Sequence, residues 1–140
     1  MTETMKTPAV LFVCSKNGGK SQLAAGLMRE LAGDTVVVHS AGTKPGAALN
    51  PESVESLVEL GIDIAGEQPK CITDDVMDSV DVVVVLGTEA KLDPPAGKRL
   101  ETWTTDEPSE RGIQGMERMR LVRDDIKARV EKLYSELAGR

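Results

Sequence analysis

Cys14 opens a short glycine-rich segment in which reactive, charged and small residues follow one another. The segment reads Cys14-Ser15-Lys16-Asn17-Gly18-Gly19-Lys20-Ser21. A cysteine thiolate is a nucleophile, and it is favoured where lysine side chains and a helix N-terminus lie nearby. The backbone N–H groups of a glycine-rich turn bind tetrahedral oxyanions. The segment therefore predicts a thiolate, that of Cys14, aimed at the central atom of a bound oxyanion.

Each residue of the segment has an expected role. We expect Cys14 to attack, Ser21 to donate its hydroxyl to the thiolate, and Lys20 to supply positive charge. Asn17 tolerates a left-handed backbone, and the two glycines allow a close approach to the anion. Lys16 is more simply explained as a solvated loop charge. The oxyanion-binding candidates are Ser15, Lys16, Asn17, Gly18, Gly19, Lys20 and Ser21.

The flanking residues predict the elements that hold this segment. Residues 9–13 form an unbroken apolar run, which is typical of a buried strand. Leu23, Leu27 and Leu31 recur at helical spacing, so a helix is expected to follow. A strand, a glycine-rich turn and a helix in this order place the positive end of the helix dipole beneath the anion.

A nucleotide-binding loop and a purely structural turn are the alternatives for this segment. Gly19-Lys20-Ser21 would end a nucleotide-binding loop of the pattern G-x-x-x-x-G-K-[ST], but position 14 should then be glycine. The apolar run 82–87 also lacks the aspartate that such a domain uses for magnesium. A buried cysteine beside an ordinary turn would leave the two glycines, two lysines and serine of one short loop without a reason.

Alternating apolar patterns predict an α/β fold. The expected strands are 9–13, 35–39, 81–86 and 99–103, and the expected helices are 21–32, 51–60, 73–79 and 115–138. We predict three layers, a four-stranded parallel sheet with helices on both faces. The ligand of such a sheet lies beyond the carboxyl ends of its strands, where Cys14 falls. Residues 91–98 are the least regular segment.

The last helix shows the clearest two-sided pattern. Its apolar face consists of Met119, Val122, Ile126, Val130, Leu133 and Leu137. Its charged residues are most simply a solvated face, and they are Arg118, Arg120, Arg123, Asp124, Asp125 and Lys127.

Composition restricts the class of protein. The 140 residues predict one domain over 1–140, with a largely aliphatic core because aromatic residues make up only 2%. The net charge of −6 argues against nucleic-acid binding, which needs a basic face. No apolar run reaches membrane-spanning length, and the first residues lack the apolar stretch of a signal peptide. Two widely spaced cysteines then predict reduced thiols and a cytoplasmic protein.

The chain resembles the low-molecular-weight protein tyrosine phosphatases and the arsenate reductases that share their fold. The first resemblance is the loop, which follows C-x5-R-[ST] except that position 20 is lysine. Further similar segments follow in the family's order along nearly the whole chain. They are Ser40-Ala41-Gly42-Thr43, Leu49-Asn50-Pro51, Glu59-Leu60-Gly61-Ile62-Asp63 and Glu107-Pro108. With Asn-Gly-Gly-Lys-Ser-Gln in the loop, the chain is most similar to actinobacterial arsenate reductases that use mycothiol and mycoredoxin.

The resemblance implies a general acid directly before a proline. Glu107 is therefore the candidate, although the family usually has aspartate there, and Asp106 is its competitor. Either carboxyl group could protonate a departing oxygen. The alternative for both residues is an ordinary acidic surface loop without a catalytic role.

Missing residues separate a reductase from a phosphatase. A tyrosine phosphatase needs aromatic walls, and residues 44–48 and those directly after Pro108 contain none. Thioredoxin-coupled relatives carry further cysteines near the end of the third strand, whereas residues 85–90 contain none.

The resemblance then implies that arsenate condenses with an external low-molecular-weight thiol. Mycothiol is the expected co-substrate and mycoredoxin, or a glutaredoxin-like protein, the expected partner. No tightly bound cofactor or metal is expected. A protein or aryl phosphatase and a non-catalytic oxyanion-binding module remain as alternatives.

Cys71 and His39 are the other residues that could do chemistry. Cys71 would resolve a disulfide only if it lay within reach of Cys14, so we expect an incidental, partly buried thiol. His39 is the only histidine and has no neighbouring residues at metal-ligand spacing, so we expect a structural role.

Overall fold

A parallel β-sheet forms the middle of the computed structural model, which describes residues 7–87, 90, 92 and 97–138. The strands in that part of the chain are β1 (Ala9–Cys14), β2 (Val37–Gly42), β3 (Val82–Leu86) and β4 (Arg99–Trp103). They lie in the order β2-β1-β3-β4, and every neighbouring pair is parallel. The two central strands are apolar and buried along their whole length, because both of their faces are covered.

Helices cover both faces of the sheet, as predicted. They are α1 (Lys20–Ala32), α2 (Pro51–Val58), α3 (Asp74–Ser79), α4 (Gly115–Ala138) and a 3₁₀ helix at Pro108–Arg111 that the sequence did not predict. On one face α1 packs against β1, and α2 and α4 pack against α1 and each other, so that their apolar residues form one cluster with Val10 and Phe12. On the other face Met77 of α3 packs against Leu11 and Val13. The prediction of a three-layer α/β fold is confirmed.

β2 lies further along the chain than the sequence pattern predicts. The pattern indicates residues 35–39, but the strand runs from Val37 to Gly42. Thr35 still belongs to the turn after α1, because its N–H and hydroxyl both donate to Ala32 O. The last three residues of β2 pair with the last three of β1, so Gly42 lies beside Cys14. β2 therefore ends at the edge of the sheet where Cys14 lies.

The ends of other elements differ by one or two residues from the prediction. α2 stops at Val58 rather than at residue 60, because Gly61 takes a positive φ of 80° and Ile62 N–H donates back to Leu57 O. In α1, Leu31 is 41% exposed although Leu23 and Leu27 are buried. Residues four apart on a helix rotate by about 40° per step, so the third leucine leaves the buried face.

The apolar face of α4 is buried along its full length, as predicted. Its charged residues do not all form a solvated face. Arg123 is only 8% exposed and donates hydrogen bonds to Ser56 O and to the carboxylate of Glu59, which join α4 to the end of α2.

Two sequence predictions concern segments near the limits of the described chain. Most of the irregular segment 91–98 lies outside the described residues, as does the polar N-terminal stretch 1–6.

Within residues 7–87, 90, 92 and 97–138, no helix combines the length and the apolar character needed to cross a bilayer.

Candidate active site

The loop between β1 and α1, residues 14–20 and called the Cys14 loop below, is held in place through its carbonyl groups. Backbone N–H groups of residues 43–50, called the neighbouring segment below, donate to four of these carbonyl groups. The pairs are Thr43 to Cys14 at 3.2 Å, Lys44 to Ser15 at 2.8 Å, Gly46 to Lys16 at 2.9 Å and Asn50 to Gly18 at 2.7 Å. The side-chain amide of Gln22 donates to Asn17 O at 3.2 Å.

These bonds determine where the N–H groups of the Cys14 loop point. The C=O and N–H groups of one trans peptide point in opposite directions. Because the carbonyls turn outward, the N–H groups that follow them turn toward the inside of the loop. Successive inward N–H groups make an anion-binding concavity. This is the backbone geometry that the predicted oxyanion cradle requires, and anion binding by the loop stays a prediction.

The thiol of Cys14 lies at the start of this concavity, at the N-terminal end of α1. Its Sγ is 2.9 Å from Ser21 Oγ and accepts the backbone N–H of Asn17 at 3.2 Å. The contact predicted between Ser21 and Cys14 is present.

Asn17 is buried, and the hydrogen bonds of its side chain stabilise the loop. Its φ of 55° is left-handed, as predicted for this residue. Its side-chain amide donates to Ser21 Oγ at 2.8 Å, and its Oδ1 accepts the N–H of Lys70 at 3.0 Å and Gln22 Nε2 at 3.2 Å. The side chain thus points away from the cavity, and Asn17 supports the site by orienting Ser21.

Two glycines allow segments of chain to approach one another. A Cβ at Gly18 would lie 2.9 Å from Ala48 O, and a Cβ at Gly42 would lie 2.6 Å from Ser15 O. The close approach that the structure shows at Gly18 is to Ala48 O, whereas the predicted approach of Gly18 to an anion stays a prediction. Gly42 needs to be glycine because the end of β2 lies against the Cys14 loop.

A cavity of about 720 Å³ opens over Cys14. The Cys14 loop lines its floor, the segment 44–48 forms one wall, and Glu107 and Arg118 line it as well. Lys16 is exposed and also lines the cavity. The segment 44–48 carries no aromatic side chain.

Lys20, Glu107 and Arg118 form a charged group in this cavity. The Arg118 guanidinium donates to both carboxylate oxygens of Glu107, at 2.8 and 3.0 Å. Ser109 Oγ donates to the same carboxylate at 2.6 Å, and Lys20 Nζ lies 3.9 Å from it. The hydrogen bonds from Arg118 and then Ser109 lower the pKa of Glu107 to about 2. In this arrangement Glu107 is an ionised carboxylate, and it gains a proton to donate only when these bonds are given up.

Asp106, the competing acid, faces a different partner. Its carboxylate accepts two hydrogen bonds from Arg111, at 2.8 and 3.1 Å, which lower its pKa. Asp106 is not part of the cavity lining, whereas Glu107 is. The geometry therefore favours Glu107 as the carboxyl group that meets a bound oxyanion.

Sequence reasoning missed Gln22 and Arg118. Gln22 is fully buried and is the side chain that holds the carbonyl of Asn17. The signal for it was a polar residue on the buried face of α1, directly after the predicted loop. The sequence pattern predicts Arg118 on the solvated face of α4, which is wrong because Arg118 reaches Glu107 in the cavity.

Cys71 lies outside the reach of Cys14. Gly42 pairs with Cys14 on one side and with Cys71 on the other. Adjacent strands are about 4.8 Å apart, so the two cysteine Cα atoms are separated by roughly 10 Å, beyond the disulfide limit of about 7 Å. Cys71 is a free thiol, and it is exposed, so the prediction that it is partly buried is wrong.

His39 lies in the middle of β2 rather than at its end. Burial, Arg29 and Lys70 lower its pKa, so the imidazole is held neutral. Among the residues that the structure describes, no three His, Cys, Asp or Glu side chains come together as metal ligands.

Proteins that are similar to this chain in sequence match it over most of its length. The chain is 34% identical over 137 residues to an arsenate reductase of Bacillus subtilis, covering 91% of this chain and 96% of the relative. It is 33% identical over 132 residues to an arsenate reductase of Staphylococcus aureus, covering 91% and 97%.

Solved structures agree in fold. A structure described as an arsenate reductase in the phosphate binding state superposes with a TM-score of 0.80 at 32% identity, covering 93% of this chain and 98% of the other. A thioredoxin-dependent arsenate reductase of Corynebacterium glutamicum gives 0.80 at 31% identity over 94% of this chain, which spans only 62% of that protein. Residues 9–140 match the family described as low molecular weight phosphotyrosine protein phosphatase. The chain belongs to this family.

Proposed function

We propose that this protein reduces arsenate to arsenite, with Cys14 as the nucleophile and a low-molecular-weight thiol, mycothiol, as co-substrate. The observation that carries the proposal is the cavity over Cys14, whose floor is a cradle of backbone N–H groups, in a chain similar to arsenate reductases over nine-tenths of its length. The proposal places the enzyme in the cytoplasm, where reduced thiols are maintained.

The first step is a substitution at arsenic. Arsenate binds to the N–H groups of the Cys14 loop with Lys20 balancing its charge, and the Cys14 thiolate forms an S–As bond. One As–O bond breaks, and the leaving oxygen takes protons and departs as water. Glu107 is placed to donate one of these protons if the incoming anion draws Arg118 away from it.

The next steps transfer arsenic and then reduce it. The external thiolate attacks arsenic and displaces Cys14, which leaves a thiol–arsenate adduct and a free Cys14 thiolate. A thiolate of mycoredoxin, or of a glutaredoxin-like protein, then attacks the sulfur of the adduct. The S–As bonding pair goes to arsenic, so arsenite leaves and a mixed disulfide forms. The second thiol of the redoxin resolves this disulfide and releases the external thiol.

The position of the cysteines supports an external thiol. Cys71 is separated from Cys14 by the width of two strand spacings, and residues 85–90 contain no cysteine. The chain therefore has no second thiol placed to form a disulfide with Cys14 directly. A reductant outside the chain has to supply the electrons.

An aryl phosphatase is the second candidate, because the family includes phosphatases and a similar structure is described with phosphate. Phosphoryl transfer needs the equatorial oxygens to be clamped in the transition state. Lys20 offers a point charge there in place of the planar fork of an arginine. Because the similar proteins of Bacillus subtilis and Staphylococcus aureus are arsenate reductases and the Cys14 loop itself has no arginine, we rank reduction above hydrolysis.

The test is an arsenate reductase assay in two arms. One arm contains mycothiol, mycoredoxin and their NADPH-dependent reductase, and the other contains thioredoxin and thioredoxin reductase. We expect multiple turnovers in the first arm and none in the second. Sustained NADPH consumption with thioredoxin alone would overturn the external-thiol scheme, and no turnover in either arm would overturn the reductase function.

A further inference from the structure

Arg118 and Lys20 approach the same carboxylate from two elements. Arg118 comes from the first turn of α4 and donates Nε–H to Glu107 Oε2 at 2.8 Å and Nη2–H to Oε1 at 3.0 Å. Lys20 comes from the start of α1, with Nζ 3.9 Å from Oε1. An oxyanion group of the protein itself thus lies between a cation of the Cys14 loop and a cation of α4.

This group belongs to the cavity that contains Cys14. Lys20, Glu107 and Arg118 line it together with Lys16 and Lys44. The lining is strongly cationic in a chain whose net charge is −6. Neither the Arg118 nor the Glu107 side chain is sealed from solvent, with 25% and 29% exposure, so an entering anion can reach the guanidinium.

The chemistry of a guanidinium fits this place. Its planar fork binds two oxygens of one oxyanion at once, which an ammonium group does not. Position 20 of the Cys14 loop provides only an ammonium group. The two hydrogen bonds that Arg118 makes to Glu107 have the form that a bound arsenate or phosphate would need.

We propose that Arg118 is an oxyanion-binding residue, and that Glu107 occupies the position of the anion's oxygens on this guanidinium while the cavity is empty. The entering anion takes over at least one of the two hydrogen bonds that Glu107 now accepts. Arg118 of α4 thereby supplies the guanidinium, with its two parallel hydrogen-bond donors, that the Cys14 loop lacks. The inference rests on the proposed function only in taking arsenate as the natural anion.

Binding of inorganic phosphate, measured by titration calorimetry without any thiol, tests the proposal separately from reductase activity. We expect Arg118→Met to weaken phosphate binding by about tenfold to a hundredfold, the range for a lost charge-assisted hydrogen bond. Arg118→Lys should fall between this variant and the parent. Arg120→Met is the matched control, because Arg120 lies on the same helix but bonds to Glu59 away from the cavity. It should change the affinity by no more than about twofold.

A second comparison separates direct contact from an effect through Glu107. In a Glu107→Gln background, Arg118→Met should still weaken phosphate binding by about tenfold or more if the guanidinium touches the anion. Equal affinities of Glu107→Gln with and without Arg118→Met would show that Arg118 only restrains Glu107, and the proposal would be overturned. Equal losses in Arg118→Met and Arg120→Met would also overturn it, since the effect would then be one of net charge. A failed arsenate assay leaves these phosphate affinities unaffected.

Discussion

The two sides of the cavity are built in different ways. On the side of the Cys14 loop, backbone groups do most of the work, with carbonyls bonded outward to residues 43–50 and N–H groups turned inward. In another part of the lining, Glu107, directly before the 3₁₀ helix, and Arg118 of α4 meet through long side chains. The first side is fixed by the path of the chain, whereas the second can rearrange by rotating side chains.

This difference separates two tasks of the site. A thiolate and its anion cradle have to be in place before the substrate arrives, because catalysis depends on preorganised donors. In the proposed mechanism, the charges of Glu107 and Arg118 change partners as the anion enters and leaves. An ion pair between partly exposed side chains suits that task, because such pairs cost little to break.

The largest effect is expected from removing the nucleophile on the fixed side. Cys14→Ala should reduce arsenate turnover by about a thousandfold or more, as loss of a nucleophile does. Cys71→Ala is the matched control and should keep most of the activity, because Cys71 lies two strands away. Steady-state rates in the mycothiol and mycoredoxin assay decide it. An equal loss in both variants would identify Cys71 as a resolving thiol.

A methyl group at the contact between β2 and the Cys14 loop should be the next most damaging change. In Gly42→Ala the new Cβ would lie 2.6 Å from the backbone oxygen of Ser15, which cannot move independently of the loop. We expect a loss of about 3 kcal/mol in the free energy of unfolding, at the upper end for overpacking, together with reduced activity.

Gly46→Ala is the control for that change, because its Cβ would come no nearer than 3.6 Å to Lys16. Urea denaturation of both variants and the parent measures the difference. Equal stabilities for Gly42→Ala and Gly46→Ala would contradict the tight contact.

Lys20→Arg tests whether the fixed side lacks a fork for phosphoryl transfer. We expect weak aryl phosphatase activity in the parent and a rise of roughly tenfold in Lys20→Arg, because an added bidentate contact stabilises the equatorial oxygens. Hydrolysis of an aryl phosphate by the parent, Lys20→Arg and Lys20→Ala gives the answer. Three indistinguishable rates would show that residue 20 does not contact the oxyanion.

The smallest effect is expected from protonating Glu107, in the part of the cavity lining that is built from side chains. The pKa of Glu107 is lowered from 4.5 to about 2 by its hydrogen bonds from Arg118 and Ser109. A lowered carboxyl pKa stabilises the folded state above the unfolded value, and this contribution is lost as the pH falls from about 4.5 toward 2. We expect it to be about 1 kcal/mol, since the pair is partly exposed and screened.

The measurement is urea denaturation of the parent and of Glu107→Gln between pH 7 and pH 3. The difference between the two free energies of unfolding should be constant at neutral pH and shrink below about pH 4.5. A difference that stays constant over the whole range would contradict the ion pair.

The contrast between the Cys14 loop and the pair of Glu107 and Arg118 also explains which features the sequence could predict. The strand, the turn and the first helix follow from local patterns, so the sequence predicts the contact of Ser21 with Cys14 and the left-handed backbone of Asn17. β2 was misplaced by two residues at its start because its register depends on pairing with β1, which is not local information. Arg118 was missed because a charged residue on an exposed helical turn usually meets only water. Its role depends on where the loop after β4 crosses α4.

The outward bonds of the Cys14 loop have a consequence for how this site tolerates change over evolution. Their donors in the neighbouring segment are main-chain amides of residues 43, 44, 46 and 50. Exchanging the side chains at these positions leaves the amides in place, and among the twenty residues only proline would delete one. The neighbouring segment can therefore change its side chains, and with them one part of the cavity lining, while the backbone bonds that hold the Cys14 loop stay the same.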